Sequence, residues 1–419
     1  MDKGCFQRAA LCFVKQSIMH SRKSKIWVVV FVMVSLLGAW VASRWKAWFY
    51  NPPEAPYEAP VSPERVLLTF GDSTELSRNV SWICGSEVVP SFLELQSHDT
   101  VMRYPAVGEV FVSRSGKAAY YHAELRDLAY STNYRYRVCT GERYSDWYAF
   151  HTQDSLSDTV CFAFFGDVQD TVGGNQGSGI RRYFDHWIAD WAFVVYGGDL
   201  CERPTDASWR QTFLSIDSIA QSMPVLACTG NHDYIKGLHR RLERRFPLVF
   251  SYFLDSQVEG NMVYSLYYKN IHLILLDSNR GRADLKRQRR WLENQLATNH
   301  ARWIIVVVHH PMYSVRNHNH ARQQAAFNDL FQKYKVDLVL QGHEHAYAAM
   351  HKGHTTYTIS HFSPKKYRVR NTDGFRVVDT LAHGYVQMLT VTDSVLEMFV
   401  TDDSDDQNTI DSYNQYPIR

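Results

Sequence analysis

The chain has almost no net charge: 45 lysines and arginines against 43 aspartates and glutamates leave +2 over 419 residues. That excludes binding to nucleic acid or other polyanions through bulk charge alone. Organised cysteine is also missing. The seven cysteines form no CxxC pairs and show no zinc-finger spacing, which argues against a thiolate metal site. Cys5 and Cys12 precede an apolar run at residues 26–43, and Cys84, Cys139, Cys161, Cys201 and Cys228 follow it. An odd number on that side leaves at least one thiol unpaired, and no disulfide framework can be read. Apolar and aromatic residues are plentiful, at 45% and 14%, enough at this length for two folded domains plus accessories.

The run from Ile26 to Ser43, IWVVVFVMVSLLGAWVAS, carries no charge and is long enough to cross or nearly cross a bilayer. Lys3, Arg8, Lys15, Arg22, Lys23 and Lys25 precede it, whereas only Arg44 and Lys46 follow closely. The positive-inside rule therefore puts the amino end in the cytoplasm and the rest on the far side, as for an uncleaved, single-pass signal anchor. Cleavage after Val41-Ala42-Ser43 gives the alternative, a secreted or periplasmic protein.

The remaining organisation follows from changes of texture. Residues 1–25 are expected to be cytoplasmic, 26–43 transmembrane, and 44–63 a proline-rich, extended linker. Residues 64–153 read as all-β: RVLLTF, NVSWIC, EVFVSR, AAYYHAEL, YRYRVC and WYAFHT are short β-prone runs parted by turn residues, suggesting a fibronectin- or immunoglobulin-like sandwich. No catalytic cluster falls there. Asn79-Val80-Ser81 forms a glycosylation sequon, relevant only in a eukaryotic secretory pathway. Residues 157–402 switch to alternating strand, loop and helix, an α/β layered domain whose strands deliver their last residues to one rim. The acidic, polar segment 403–419 is expected to be a loose tail.

Five strand ends carry the chemistry. They are Gly166-Asp167-Val168-Gln169, Gly198-Asp199, Gly230-Asn231-His232-Asp233, His309-His310-Pro311 and Gly342-His343-Glu344-His345. A strand-end glycine lets the backbone turn sharply, so that the next side chain reaches a shared centre. One such cluster is an ordinary capped turn. Five in one α/β domain point to a site beyond the carboxyl ends of the strands, where open sheets place their ligands. His343 and His345, two apart, face the same side and so address one cavity. Imidazole mixed with oxygen donors suits Zn, Fe or Mn better than Mg or Ca. A carboxylate bridge reduces repulsion between two such ions ~3.5–4 Å apart, a separation that clamps the attacking and departing oxygens of a phosphoryl group. Metal-bound water becomes a hydroxide nucleophile near neutral pH, and a nearby histidine supplies the proton that the leaving alkoxide needs.

With these motifs the chain resembles the calcineurin-like metallophosphoesterases, and within them the purple acid phosphatases, from about Cys161 to Val400. The β-rich segment before it resembles the amino-terminal domain of purple acid phosphatases, of fibronectin type III kind. The resemblance implies that Asp167 and His345 bind a first metal, that Asp199 bridges both, and that Asn231, His309 and His343 bind the second. His232 would contact the substrate phosphate or protonate the leaving group. His318 and His320, in YSVRNHNHAR, occupy the loop where purple acid phosphatases hold further substrate-contacting histidines.

Two positions depart from the pattern. Purple enzymes carry a tyrosine three residues after the bridging aspartate, where this chain has Glu202. No purple colour is therefore expected, and the first ion need not be ferric. Gln169 stands where other metallophosphoesterases place a histidine, and its amide could bind metal or a bound water. The implied function is a membrane-anchored, dinuclear hydrolase of small phosphate monoesters that needs no nucleic acid. A phosphodiesterase on the same two ions is the alternative within the class. A non-catalytic cell-surface binding protein with a degenerate site is the alternative outside it.

Overall fold

A computed structural model describes residues 3–71, 75–187, 191–251, 258, 262–318, 320–404 and 407–418. Two units separate in it, Met1–Pro52 with Lys236–Arg240, and Pro53–Ile235 with Arg241–Arg419. The first is built on one long α-helix, Lys3–Phe49. Its stretch Lys25–Phe49 has a mean hydropathy of 2.3 and buries none of it, so this helix is long and apolar enough to cross a membrane.

The second unit begins with eight strands, Glu64–Thr69 through Tyr148–His151. The 13-residue strand Thr100–Val112 pairs through its first half with Ser91–Ser97 and through its second half with Lys117–Leu125, and so links two sheets. Inward-facing residues fill the space between them, with Trp82 stacked on Tyr121 at a 5.6 Å ring separation. This β domain docks on the next one through Arg65, whose guanidinium grips Asp206 at 2.9 and 3.1 Å, and through Tyr136, which donates to the Gln221 carbonyl at 2.7 Å. Asn79 is buried there and donates to Ser251 Oγ at 2.6 Å, so the sequon is no glycan acceptor in the folded chain.

The rest is a sandwich of two sheets. In one, Val225–Ala227, Phe193–Tyr196 and Val160–Phe165 run parallel, followed by Tyr385–Val391, Leu396–Asp402 and Thr409–Gln415. The other has a parallel centre of Ile271–Leu276, Trp303–Val308, Leu338–Gln341 and Thr355–Ile359. Phe162, Phe164, Val195 and Leu226 meet Leu273, Leu275, Ile305 and Leu340 between the sheets. Helices Gln176–Trp187 and Asp206–Ala220 cover one outer face, and Arg282–Ala297 and Ala321–Lys333 the other. With both faces covered, the parallel strands read as unbroken apolar runs such as WIIVVV, all six residues buried. The paired registers Phe165 with Tyr196 and Val308 with Gln341 bring neighbouring strands to an end together.

Two expectations fail. Residues 44–63 are not simply a linker: 44–49 lie in the long helix, and Glu54 is buried, accepting from Arg245 Nη2 at 2.5 Å and from the Asp206 backbone N–H at 2.7 Å. Nor is the acidic tail loose, because Thr409–Gln415 pairs with Leu396–Asp402. Its Asp411 accepts from the Tyr347 hydroxyl at 2.6 Å and is forked by Arg376 at 2.7 and 2.5 Å, which makes an acidic strand tolerable in a sheet.

Arg245 is shared by two buried carboxylates, Glu54 and Glu243 at 3.1 Å. Burial pushes Glu243 up to about 7, with Arg245 opposing. A raised acid favours the fold below its ordinary value, here 4.5, and that contribution is lost as pH rises through about 7. Removing Arg245 strands both carboxylates. Arg245→Met should cost about 3–5 kcal/mol in urea titrations at pH 8 and measurably less at pH 5, below the raised value of Glu243. An equal loss at both pH values would contradict this reading.

Candidate metal centre

Local backbone geometry is the first sign of a built site. A Cβ on Gly166 would sit 1.8 Å from the Ser360 carbonyl oxygen, on Gly230 2.0 Å from the Asp199 nitrogen, and on Gly342 2.3 Å from Asp167 Oδ1. Only glycine permits these approaches. Asp199, His343 and His345 have φ of 50°, 74° and 38°, the left-handed region that non-glycine residues seldom occupy and that gathers at functional sites.

The side chains then converge. His345 Nε2 lies 3.0 Å from Asp167 Oδ2, and the His343 backbone N–H donates to Asp167 Oδ1 at 2.6 Å. His309 Nε2 stands 3.4 Å from Asp199 Oδ2, 3.3 Å from Asn231 Oδ1 and 3.3 Å from His343 Nδ1. Donor atoms of Asp199, His309 and His343 all fall within 4.8 Å of one another. His309 Nδ1–H donates to the Gly197 carbonyl at 2.9 Å and His345 Nδ1–H to the Lys365 carbonyl at 2.7 Å, so both rings turn Nε2 inward. Oriented by its hydrogen bonds, the Gln169 amide nitrogen donates to the Asp199 carbonyl at 3.1 Å and to Oδ2 at 3.2 Å.

Electrostatics are dominated by the buried charges. Burial works against the Asp199 carboxylate, but His309 and His232 outweigh it and hold the group well below its usual range. Burial likewise opposes charge on His309, yet Asp199 and Asp167 push it up to about 10. His343, buried beside His310 and His309, is driven far below its ordinary value. Asp233 is raised to about 8 by burial and by the Asp199 charge.

His232 packs at the edge, its backbone N–H donating to Asp199 Oδ1 at 2.6 Å and Nδ1 meeting the Glu202 carbonyl at 2.8 Å. Asp233 does not orient it; its Oδ2 accepts from the N–H groups of Gly230 at 2.7 Å and Asp199 at 3.2 Å. His320 reaches the cluster, with its ring 5.2 Å from that of His343, while His318 lies farther out at 6.4 Å and is partly exposed. Beside them, the His310 ring lies tilted 4.5 Å from that of His343, and its Nδ1 meets Ser278 Oγ at 2.9 Å. Cys201 is buried with Sγ 3.7 Å from Asp233 Oδ1. Arg181 turns away to the Leu214 carbonyl at 2.6 Å.

Two acids have anchoring roles that the sequence pattern does not show. Glu344, between the paired histidines, is fully buried and accepts from Ser314 Oγ at 2.5 Å and the Val315 N–H at 2.7 Å, with His320 Nε2 3.3 Å away. It ties the histidine loop down. Glu202 pairs with Lys365, from a segment more than 160 positions later.

Known proteins are similar to this chain in sequence and in fold. Residues 162–347 match the calcineurin-like phosphoesterase family, and residues 63–152 match the purple acid phosphatase N-terminal domain. The chain carries a calcineurin-like phosphoesterase domain behind a purple acid phosphatase N-terminal domain. This phosphoesterase is 25% identical to a phosphoenolpyruvate phosphatase of Allium cepa over 78% of its own length and 69% of the relative's. It is 24% identical to a purple acid phosphatase of Glycine max over 68% and 65%, and 24% identical to the Fe(3+)-Zn(2+) purple acid phosphatase 12 of Arabidopsis thaliana over 69% and 65%. The match thus spans about two thirds of those relatives. Its fold is similar to purple acid phosphatase PPD1 from yellow lupin (Lupinus luteus), with TM-score 0.73 and 19% identity over 85% of this chain and 75% of the other. PhoD follows with TM-score 0.59 and 13% identity, over 87% and 90%.

The tight turns give a direct check. Gly230→Ala should cost about 1–3 kcal/mol in urea unfolding, because the new methyl displaces Asp199. Gly237→Ala, whose added methyl meets nothing nearer than 3.8 Å, should change stability by only a few tenths. Equal effects would remove the crowding argument.

Proposed function

We propose that this phosphoesterase is a dinuclear, metal-dependent hydrolase of phosphate monoesters. The observation that carries the reading is the inward convergence of carboxylate, amide and imidazole donors, with the outer nitrogens of His309 and His345 held by main-chain carbonyls. That is the environment metal-bound histidines require. Asp167, His345 and the Gln169 amide oxygen would hold the first ion. Asp199 would bridge, and Asn231, His309 and His343 would hold the second. Bound there, two ions supply Lewis-acid charge at the phosphoryl oxygens and an activated water.

The chain's own groups do the rest. His232, fixed through Nδ1 on the Glu202 carbonyl, would deliver a proton from Nε2 to the leaving oxygen. His320, and farther out His318, would line the substrate side. The ions are drawn from Zn, Fe and Mn. One relative carries Fe(3+) and Zn(2+) in its name, but Glu202 in place of the purple enzymes' tyrosine argues against a coloured ferric site.

We also assign Ile26–Ser43 as a signal anchor, which places residues 157–402, the catalytic domain, outside the cytoplasm. Residues 64–153 are a fibronectin type III-like domain. In support, the Tyr134 hydroxyl accepts from the Ala129 N–H at 2.9 Å, the corner motif of such sandwiches.

Asp199→Asn should lose most bound metal by plasma mass spectrometry and at least ~100-fold in aryl phosphate hydrolysis. Full turnover would overturn the bridging role. His232→Ala should keep its metal and lose ~10²–10⁴ in rate on poor leaving groups, with a smaller loss on good ones. Equal losses would exclude proton donation. Faster release from an aryl diester than from the matching monoester would shift the assignment to a phosphodiesterase.

A further inference from the structure

Beyond the proposed centre, the rim has a charge pattern of its own. The segment Lys365-Lys366-Tyr367-Arg368-Val369-Arg370 puts four cations in six residues, and Arg316 comes from the facing loop. The main-chain N–H groups of Arg370 and Asn371 donate to the Val315 carbonyl at 2.7 and 3.0 Å, which fastens the two loops together.

These cations are not equivalent. Lys365 is neutralised by Glu202, and Lys366 Nζ donates to the Leu381 carbonyl at 2.6 Å. Arg316 has no carboxylate partner among the described residues. Its guanidinium carbon lies 3.9 Å from the centre of the Tyr367 ring, whose centre is in turn 4.2 Å from that of His345. Two groups that close to one ring centre cannot share a face, so His345, Tyr367 and Arg316 form three layers leading outward from the centre. The Tyr367 phenol feels the charges of Asp167, Asp199 and Glu202, which places it against the cluster. Arg316 and Arg370 both act electrostatically on His318. Of the acids near the rim, Glu202 is paired with Lys365, and Glu344 is buried under the histidine loop on Ser314 and Val315.

We infer that Arg316, mounted on Tyr367, binds a second anionic group on the substrate, and that the preferred substrates are phosphate monoesters whose leaving group carries a carboxylate or a further phosphate. The inference rests on the hydrolase reading and names its substrate class. A guanidinium is suited to this task because its planar fork matches a carboxylate or phosphate in bidentate fashion while its face stays on the aromatic ring.

Binding tests it apart from turnover. Calorimetry on the metal-loaded protein would compare phosphonoacetate, which has a phosphonate and a carboxylate, with methylphosphonate, which lacks the carboxylate. Wild type should prefer phosphonoacetate by at least ~10-fold. Arg316→Gln should weaken phosphonoacetate ~10-fold more than methylphosphonate, and Tyr367→Leu should do the same in part. Arg181→Gln, on an exposed helix face, should preserve the preference. No preference in wild type, or equal weakening of both ligands in Arg316→Gln, would overturn the inference while leaving aryl phosphate hydrolysis intact. Absence of that hydrolysis with the preference retained would remove the hydrolase reading instead and leave the anion site standing.

Discussion

Asp167 and Asp199 are buried side by side at one sheet rim, and among the described residues no lysine or arginine pairs with either. Taking an ionised carboxylate out of water costs several kcal/mol even after relaxation. The compensation present is partial: N–H groups of His343 and His232, and the imidazoles of His309 and His345. A centre of this composition is complete only with cations, and the geometry around it serves that end.

The sandwich supplies rigidity where the centre needs it. Parallel strands buried on both faces end in register, so the turns that follow are fixed relative to one another. The strain of three left-handed residues can persist there because sheet and loop overdetermine them. Around the rim, buried acids hold mobile-looking sequence in place. Glu344 anchors the loop of His318 and His320, while Glu202 anchors Lys365, whose carbonyl orients His345. Glu54 and Arg245 do the corresponding work at the domain junction.

Most strand ends were legible because they combine two local signals, an apolar run and a glycine next to a donor, and neither needs knowledge of distant partners. Asp167, Asn231 and His343 therefore stand out before any coordinates, and His309 does so from the apolar run that ends on it. What stayed hidden depends on pairing across long separations. Glu54 looks like part of a spacer until Arg245 meets it, and the acidic tail looks disordered until Arg376 and Tyr347 meet Asp411. The Arg316 and Tyr367 contact joins two loops that no periodicity relates.

The most direct measurement is anomalous X-ray scattering from crystals of the purified protein, collected at the Fe, Zn and Mn edges. Two peaks ~3.5–4 Å apart are expected, flanking the Asp199 carboxylate, with His345 on one side and His309 and His343 on the other. A single peak, or peaks lying away from Asp199 after metal loading, would contradict a dinuclear centre and with it the hydrolase built upon it.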